Sequence, residues 1–370
     1  MVAIMATTLG LLTSSVLASP RPQPSPTVPK LRFALQAPDL DKLGLIPEQI
    51  QTVALTPDGR RLIIVSHRPG QNARLTEIDT STHRRIADVD IDLLFVHGCG
   101  FNDDGTQVMA VGDYASKAVL IDVSAAKCTT VFTKDKSRFR FAFPVGLTHA
   151  PDGTFIARGY TVDEDGVTQG NEITALRIDP SGSLSTTRLV DIDALIAGSG
   201  VPKGQLLAFN RSRDGQRLVY SVASSVDACT LFVSNLSDRG IHPTKVLDAE
   251  RVGYITMSAD DACFWCIVRR AGEGELVEAD LKTGKTRSLG HGTFTPTLIG
   301  DGGRLLITGV IAPRLNGHDL CVAIPSVSGK LVPLAIDGWN GRMTIYSVAS
   351  RANVFSLWSK DRIWVGSMGK

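Results

Sequence analysis

Arginines, one glycine-flanked histidine and a few tyrosines carry the chemical potential of this sequence. They fall in or beside connections between strand-like runs. Arg68, Arg138, Arg140, Arg251, Arg269, Arg314 and Arg342 are spread along the chain at such places. A guanidinium offers a planar fork of donors that fits a carboxylate or phosphate two-pronged, so arginines converging on one face would hold an anionic ligand. His97 sits in Val96-His97-Gly98-Cys99-Gly100, where the missing side chains of glycine admit other groups closely. An imidazole there, with the phenol of Tyr160 or Tyr254 beside it, would suit proton transfer. The bland alternative is a set of solvated arginines with acid partners, and a histidine hydrogen-bonded in a channel wall.

Other groups read as structural. Cys99, Cys128, Cys229, Cys263, Cys266 and Cys321 show no disulfide framework in their spacing. Cys263 and Cys266 stand three apart in a strand-like run, which puts them on opposite faces of a sheet and unable to share a metal. Asp163-Glu164-Asp165-Gly166 offers oxygen ligands for calcium, but the spacing of a calcium-binding loop does not continue beyond it. No nucleophile elbow, phosphate loop or dinucleotide fingerprint is present, so no motif implies a cofactor or a metal.

The elements that position these residues are set by a repeated turn. Leu55-Thr56-Pro57-Asp58-Gly59, Asn102-Asp103-Asp104-Gly105, Ala150-Pro151-Asp152-Gly153, Arg213-Asp214-Gly215, Ala259-Asp260-Asp261-Ala262, Gly300-Asp301-Gly302-Gly303 and a degraded Ser350-Arg351-Ala352 follow one another at steps of 46, 48, 62, 46, 41 and 49 residues. Such a period is one repeated unit of about four strands. After each turn comes an apolar strand, such as Leu62-Ile63-Ile64-Val65, with the continuous pattern of a strand buried on both faces. The expectation is an all-β fold, a seven-bladed β-propeller spanning 30–370. The last unit lacks an outer strand, and Lys30-Leu31-Arg32-Phe33-Ala34-Leu35 is expected to supply it, closing the ring and removing two sheet edges. In that geometry the loops leading into the inner strands and those joining strands two and three share one face, which would carry the arginines, His97, Tyr160 and Tyr254.

Residues 1–18 read as a secretory leader, apolar and uncharged, with Val16 and Ala18 placed for cleavage. Residues 19–29, rich in proline, read as an extended linker. The expected location is secreted or periplasmic, with no membrane span once the leader is removed. Lys+Arg at 39 against Asp+Glu at 37 gives no overall drive toward nucleic acid.

The turn phrases resemble the Pro-Asp-Gly repeats of TolB-type propellers. Ile64-Val65-Ser66-His67 through Leu75-Thr76-Glu77-Ile78-Asp79-Thr80-Ser81-Thr82, and Met109-Ala110-Val111-Gly112-Asp113-Tyr114 through Val119-Leu120-Ile121-Asp122-Val123, resemble the YVTN-type propeller repeat. The resemblance implies a fold that hosts binding scaffolds, lactonases, lyases and dehydrogenase subunits, so it does not choose among them. The leading expectation is a scaffold binding a protein partner or a small anionic ligand on its loop face. The alternatives are a lactonase- or lyase-type enzyme at the channel mouth and a cofactor-free subunit of a periplasmic redox complex.

Overall fold

The computed structural model describes residues 30–367, apart from 103–104, 143–146, 150–153, 180–182, 202, 213, 238–239, 259, 300–303, 312–319, 324–330, 334–342, 349–351, 353 and 360–361. The leader and linker, 1–18 and 19–29, lie outside the described residues, as do Arg314 and Arg342.

The fold is all-β. In chain order the first sheet holds Ile50–Leu55, Arg61–Arg68, Gln71–Asp79 and Arg85–Asp90. The second holds Val96–Phe101, Gln107–Gly112, Lys117–Asp122 and Lys127–Thr133. In the third, a first strand split into Phe139–Phe141 and Leu147–His149 precedes Phe155–Val162, Thr168–Ile178 and Leu184–Asp191. The fourth holds Gln205–Arg211, Arg217–Ser225, Ala228–Ser237 and Gly240–Ala249. Ile50–Leu55 touches Met343–Val348, Val96–Phe101 touches Leu147–His149, and Gln205–Arg211 touches Arg251–Met257, first strand against first strand, as in the blades of a propeller.

The count of seven is corrected: the described strands form six sheets, a six-bladed arrangement. Where two blades were expected, one seven-stranded fifth sheet runs from Arg251–Met257 to Leu331–Pro333. The cause is the 14-residue strand Thr286–Ile299. Its first part pairs with Glu273–Asp280, ending at Glu275 opposite His291. Its second part pairs with Arg304–Ile311, beginning at Gly292 opposite Ile311. The link Gly290-His291-Gly292 stays within the strand, and its two glycines take positive φ of 154° and 152°, conformations open to glycine, so one continuous strand serves both pairings.

The sixth sheet joins the ends of the chain. Lys30–Gln36 runs antiparallel to Arg362–Ser367, with Leu35 opposite Ile363, and Val354–Ser359 and Met343–Val348 complete the sheet. Leu35 is buried with Trp358, Ile363 and Val365. Phe33 meets the His83 ring of the first sheet at 4.0 Å. The cores lie between sheets. Leu62 and Ile64 pack toward the sixth sheet with Val354 and Trp358, whereas Ile63 and Val65 pack toward the second with Val108 and Ala110. Alternation at period two across a doubly buried strand produces this division.

The repeated turns share one hydrogen-bond device. In the first, Thr56 Oγ1 donates to Asp58 at 2.7 Å and accepts from Arg61 N at 3.1 Å. Ser212 repeats it with Asp214 at 2.6 Å and Arg217 N at 2.8 Å. Asn102 Oδ1 accepts from Gln107 N, and Ser258 Oγ from Cys263 N. The residue two before the aspartate thus fixes the hairpin, and Gly59, Gly105 and Gly215 take the positive φ. A second device closes the hairpins between third and fourth strands. Asp79, Asp122 and Asp280 each accept from backbone N–H groups of the turn ahead, which ends on a positive-φ residue: His83, Ala126 or Gly284.

Two predictions arise here. Ala126, exposed at φ 50°, should gain about 0.5–1 kcal/mol on replacement by glycine. Gly284→Ala, where an added Cβ meets nothing within 4 Å, should lose about 1 kcal/mol through its φ alone. Urea unfolding of the two variants checks both. The second prediction concerns pH. The Ser81 hydroxyl and the Thr82 and Ser81 N–H groups hold Asp79 down to about 2. Ala125 N–H and the Ser124 hydroxyl lower Asp122, and Thr283 lowers Asp280. A carboxyl depressed in the folded state protonates first in the unfolded chain. The stability it contributes is therefore present above about pH 4 and drains as pH falls toward 2. The melting temperature measured from pH 5 to pH 2 should fall, and fall less in Asp79→Asn.

Candidate functional site

The loop face gathers its chemistry at the rims of the first three sheets. Leading into the second sheet, Leu94 and Phe95 are 50% and 40% exposed. The next connection, between Gln107–Gly112 and Lys117–Asp122, holds Tyr114, 83% exposed. Three successive non-glycine residues there, Asp113, Tyr114 and Ala115, have φ of 50°, 57° and 61°. Each costs on the order of 1 kcal/mol and persists only where the surroundings impose it. What imposes it is visible. The Asp113 carboxylate accepts from Leu94 N at 2.9 Å and Phe95 N at 3.1 Å, and Asp113 N donates to Phe95 O at 3.0 Å. Ser116 closes the turn by donating its hydroxyl to Asp113 O at 2.6 Å.

The aromatic groups meet in pairs. His67 of the first sheet stacks on Phe95 at 4.4 Å, and its Nδ1 lies 3.1 Å from Leu94 O. His97 meets the Tyr114 ring at 5.5 Å. Rings from two sheets therefore meet in two pairs, of which Phe95 and Tyr114 are exposed.

The sequence candidates fall out as follows. His97, Tyr160 and Tyr254 stand on the second, third and fifth sheets. Tyr254 sits at a bulge of Arg251–Met257 with φ 51° and is 60% exposed. Tyr160 lies directly opposite Arg140 in the pairing of the third sheet. The arginines are distributed around the face. Arg68 is held by Asp90 at 2.5 Å and Arg138 by Glu164 at 2.6 Å. Arg269 reaches Glu250 at 3.8 Å and stands opposite Arg251 in the register. Arg140 caps the Ser137 and Phe139 carbonyls and lines a cleft with Lys117 and Lys134.

The Asp163 carboxylate is used inside its own turn, accepting from Asp165 N, Val167 N and Gln169. Among the described residues no three His, Cys, Asp or Glu side chains come together as a cation site. Nor is any described helix long and apolar enough to cross a membrane. Burial pushes the thiols up, to about 11 for Cys99 and Cys263 and about 12 for Cys266. Cys266 is fully buried on the strand Cys263–Arg270, and Cys263 faces the other side.

Sequence reasoning missed Leu94, Phe95, Lys117, Lys134 and the half-buried Arg158. The Arg158 guanidinium donates to Leu206 O at 3.2 Å, and desolvation draws its pKa down. The run Leu93-Leu94-Phe95 just before an inner strand was the available signal for the rim.

The chain matches no protein-family profile, and no curated protein matches it in sequence. Solved structures are similar in fold. The β-propeller domain of Cps50 (Swd1) from Myceliophteria thermophila aligns with a TM-score of 0.55 at 10% identity, covering 92% of this chain and 100% of that one. An oligogalacturonate lyase in complex with manganese aligns at 0.59 and 13% identity, covering 88% and 92%. A puromycin-hydrolysing peptidase of Mycobacterium tuberculosis aligns at 0.57 and 13%, covering 90% of this chain but 52% of its own. At such identities the likeness shows the β-propeller fold alone.

Proposed function

We propose that the protein is an exported binding scaffold that holds a protein partner on the loop face. One observation carries this reading: the exposed rim of Leu94, Phe95 and Tyr114, fixed by a strained turn that the Asp113 carboxylate maintains. Local strain kept beside exposed aromatic groups points to use rather than to packing. Tyrosine and phenylalanine provide large, rigid contact area at a protein interface. Export rests on the leader-like 1–18 and the proline-rich 19–29. The repeat resemblance is in keeping with a scaffold role.

A photo-crosslinking residue at position 114, compared with one at position 216 on the opposite hairpins, tests the reading in extracts of the native host. Discrete adducts from position 114 that disappear in Phe95→Asp are expected. Identical adducts from both positions overturn it. Sequencing the amino terminus of the mature protein should begin at Ser19, and an intact Met1 refutes export by this leader.

A further inference from the structure

The junction of the second and third sheets holds a cleft of about 380 Å³ on the loop face, lined by Ser116, Lys117, Thr133, Lys134, Asp135 and Arg140. Three cations and one carboxylate border it. Lys117 is half-buried and anchored by Asp92 at 2.5 Å. Lys134 is exposed and, among the described residues, has no ion-pair partner; its backbone N–H donates to Ser116 O, which ties the two walls together. Among the described residues Arg140 meets neutral carbonyls, those of Ser137 and Phe139, which orient its positive charge without neutralising it. A guanidinium and two ammonium groups lining one concave surface are the donor set that an oxyanion requires.

We infer that this cleft is a binding site for a small oxyanion group, phosphate or carboxylate, held between Arg140, Lys134 and Lys117. It is distinct from the aromatic rim and does not depend on the partner proposed there. Arg140 supplies the two-pronged contact, Lys134 supplies charge, Lys117 is shared with Asp92, and Asp135 on the lip opposes them. The net positive character of the cleft is therefore set against Asp135, which gives the site a diagnostic sign.

Titration of the full chain at low ionic strength, by calorimetry and by thermal shift, tests the proposal with inorganic phosphate and acetate as separate arms and chloride as the control for ionic strength. Saturable binding of one or both oxyanions, absent with chloride, is expected, and the preferred arm identifies the ligand class. Lys134→Glu, an exposed change, should weaken binding at least tenfold, while Lys127→Glu on a distant hairpin leaves it unchanged. Asp135→Asn should tighten it two- to fivefold, an effect no merely structural role produces. Arg140→Gln should abolish it; should that variant unfold, the Lys134 and Asp135 variants decide alone. The inference is overturned by binding of neither oxyanion at millimolar concentration, or by binding that ignores Lys134→Glu and Asp135→Asn.

Discussion

Leu35→Asp should unfold far more readily than the parent, by about 4 kcal/mol or more, because it combines a lost apolar side chain with a charge placed in a core. Leu35 is 4% exposed, packed with Trp358, Ile363 and Val365. It lies on the strand whose pairing with Arg362–Ser367 joins the two ends of the chain. A melting temperature lower by roughly 5 °C is the corresponding thermal readout for a chain of this size. Arg32→Asp, on the same strand but exposed, separates loss of core from change of charge and should leave the melt nearly unmoved. The variant should also gain a protease-sensitive amino terminus, since release of Lys30–Gln36 bares the edge of Arg362–Ser367. Unchanged melting of Leu35→Asp would mean that the ends of the chain do not depend on each other.

Gly112→Ala is the second large effect and links stability to binding. A Cβ at Gly112 would lie 1.9 Å from Phe95 O, a backbone atom that cannot rotate aside. Relief requires the Leu94–Phe95 segment to move. That would break the bond from Asp113 N to Phe95 O and misplace the two N–H groups that the Asp113 carboxylate accepts from. Overpacking and lost hydrogen bonds together should cost about 3 kcal/mol. The stack of His67 on Phe95 should also be lost, and with it crosslinking from position 114. Gly253→Ala, where an added Cβ meets nothing, is the matched control. Guanidinium unfolding and the crosslinking yield read the two consequences separately. A Gly112→Ala protein of parental stability would show that the close approach at Phe95 is not needed.

Much of the architecture was written in local signals. Asp-Gly turns, doubly apolar second strands and the alternating Lys30–Gln36 segment need only neighbours in sequence to be recognised. The blade count failed at Gly290-His291-Gly292, because the Asp301 turn looked like its counterparts while the decisive event, an extended link, lay ten residues earlier. The site was less legible for a different reason. What a guanidinium can bind is legible in its residue type, but its pairing is non-local: Arg68 finds Asp90 and Arg138 finds Glu164, each more than twenty residues away. Arg140, which meets carbonyls instead of a carboxylate, differs from them only in what stands nearby in space. Three residues at positive φ around Tyr114 follow from no propensity; they follow from a carboxylate that grips the preceding loop.

The thiols bring a consequence for handling the molecule. Alkylating reagents attack the thiolate, and burial keeps Cys99, Cys263 and Cys266 protonated far above neutral pH. Cys99 belongs to the second sheet, Cys263 and Cys266 to the fifth, so the sulfurs sit at separated points of the ring. Labelling by a slow reagent is therefore suppressed in the folded chain, most of all at the buried Cys266, and mass spectrometry of the adducts follows the loosening of the second and fifth sheets.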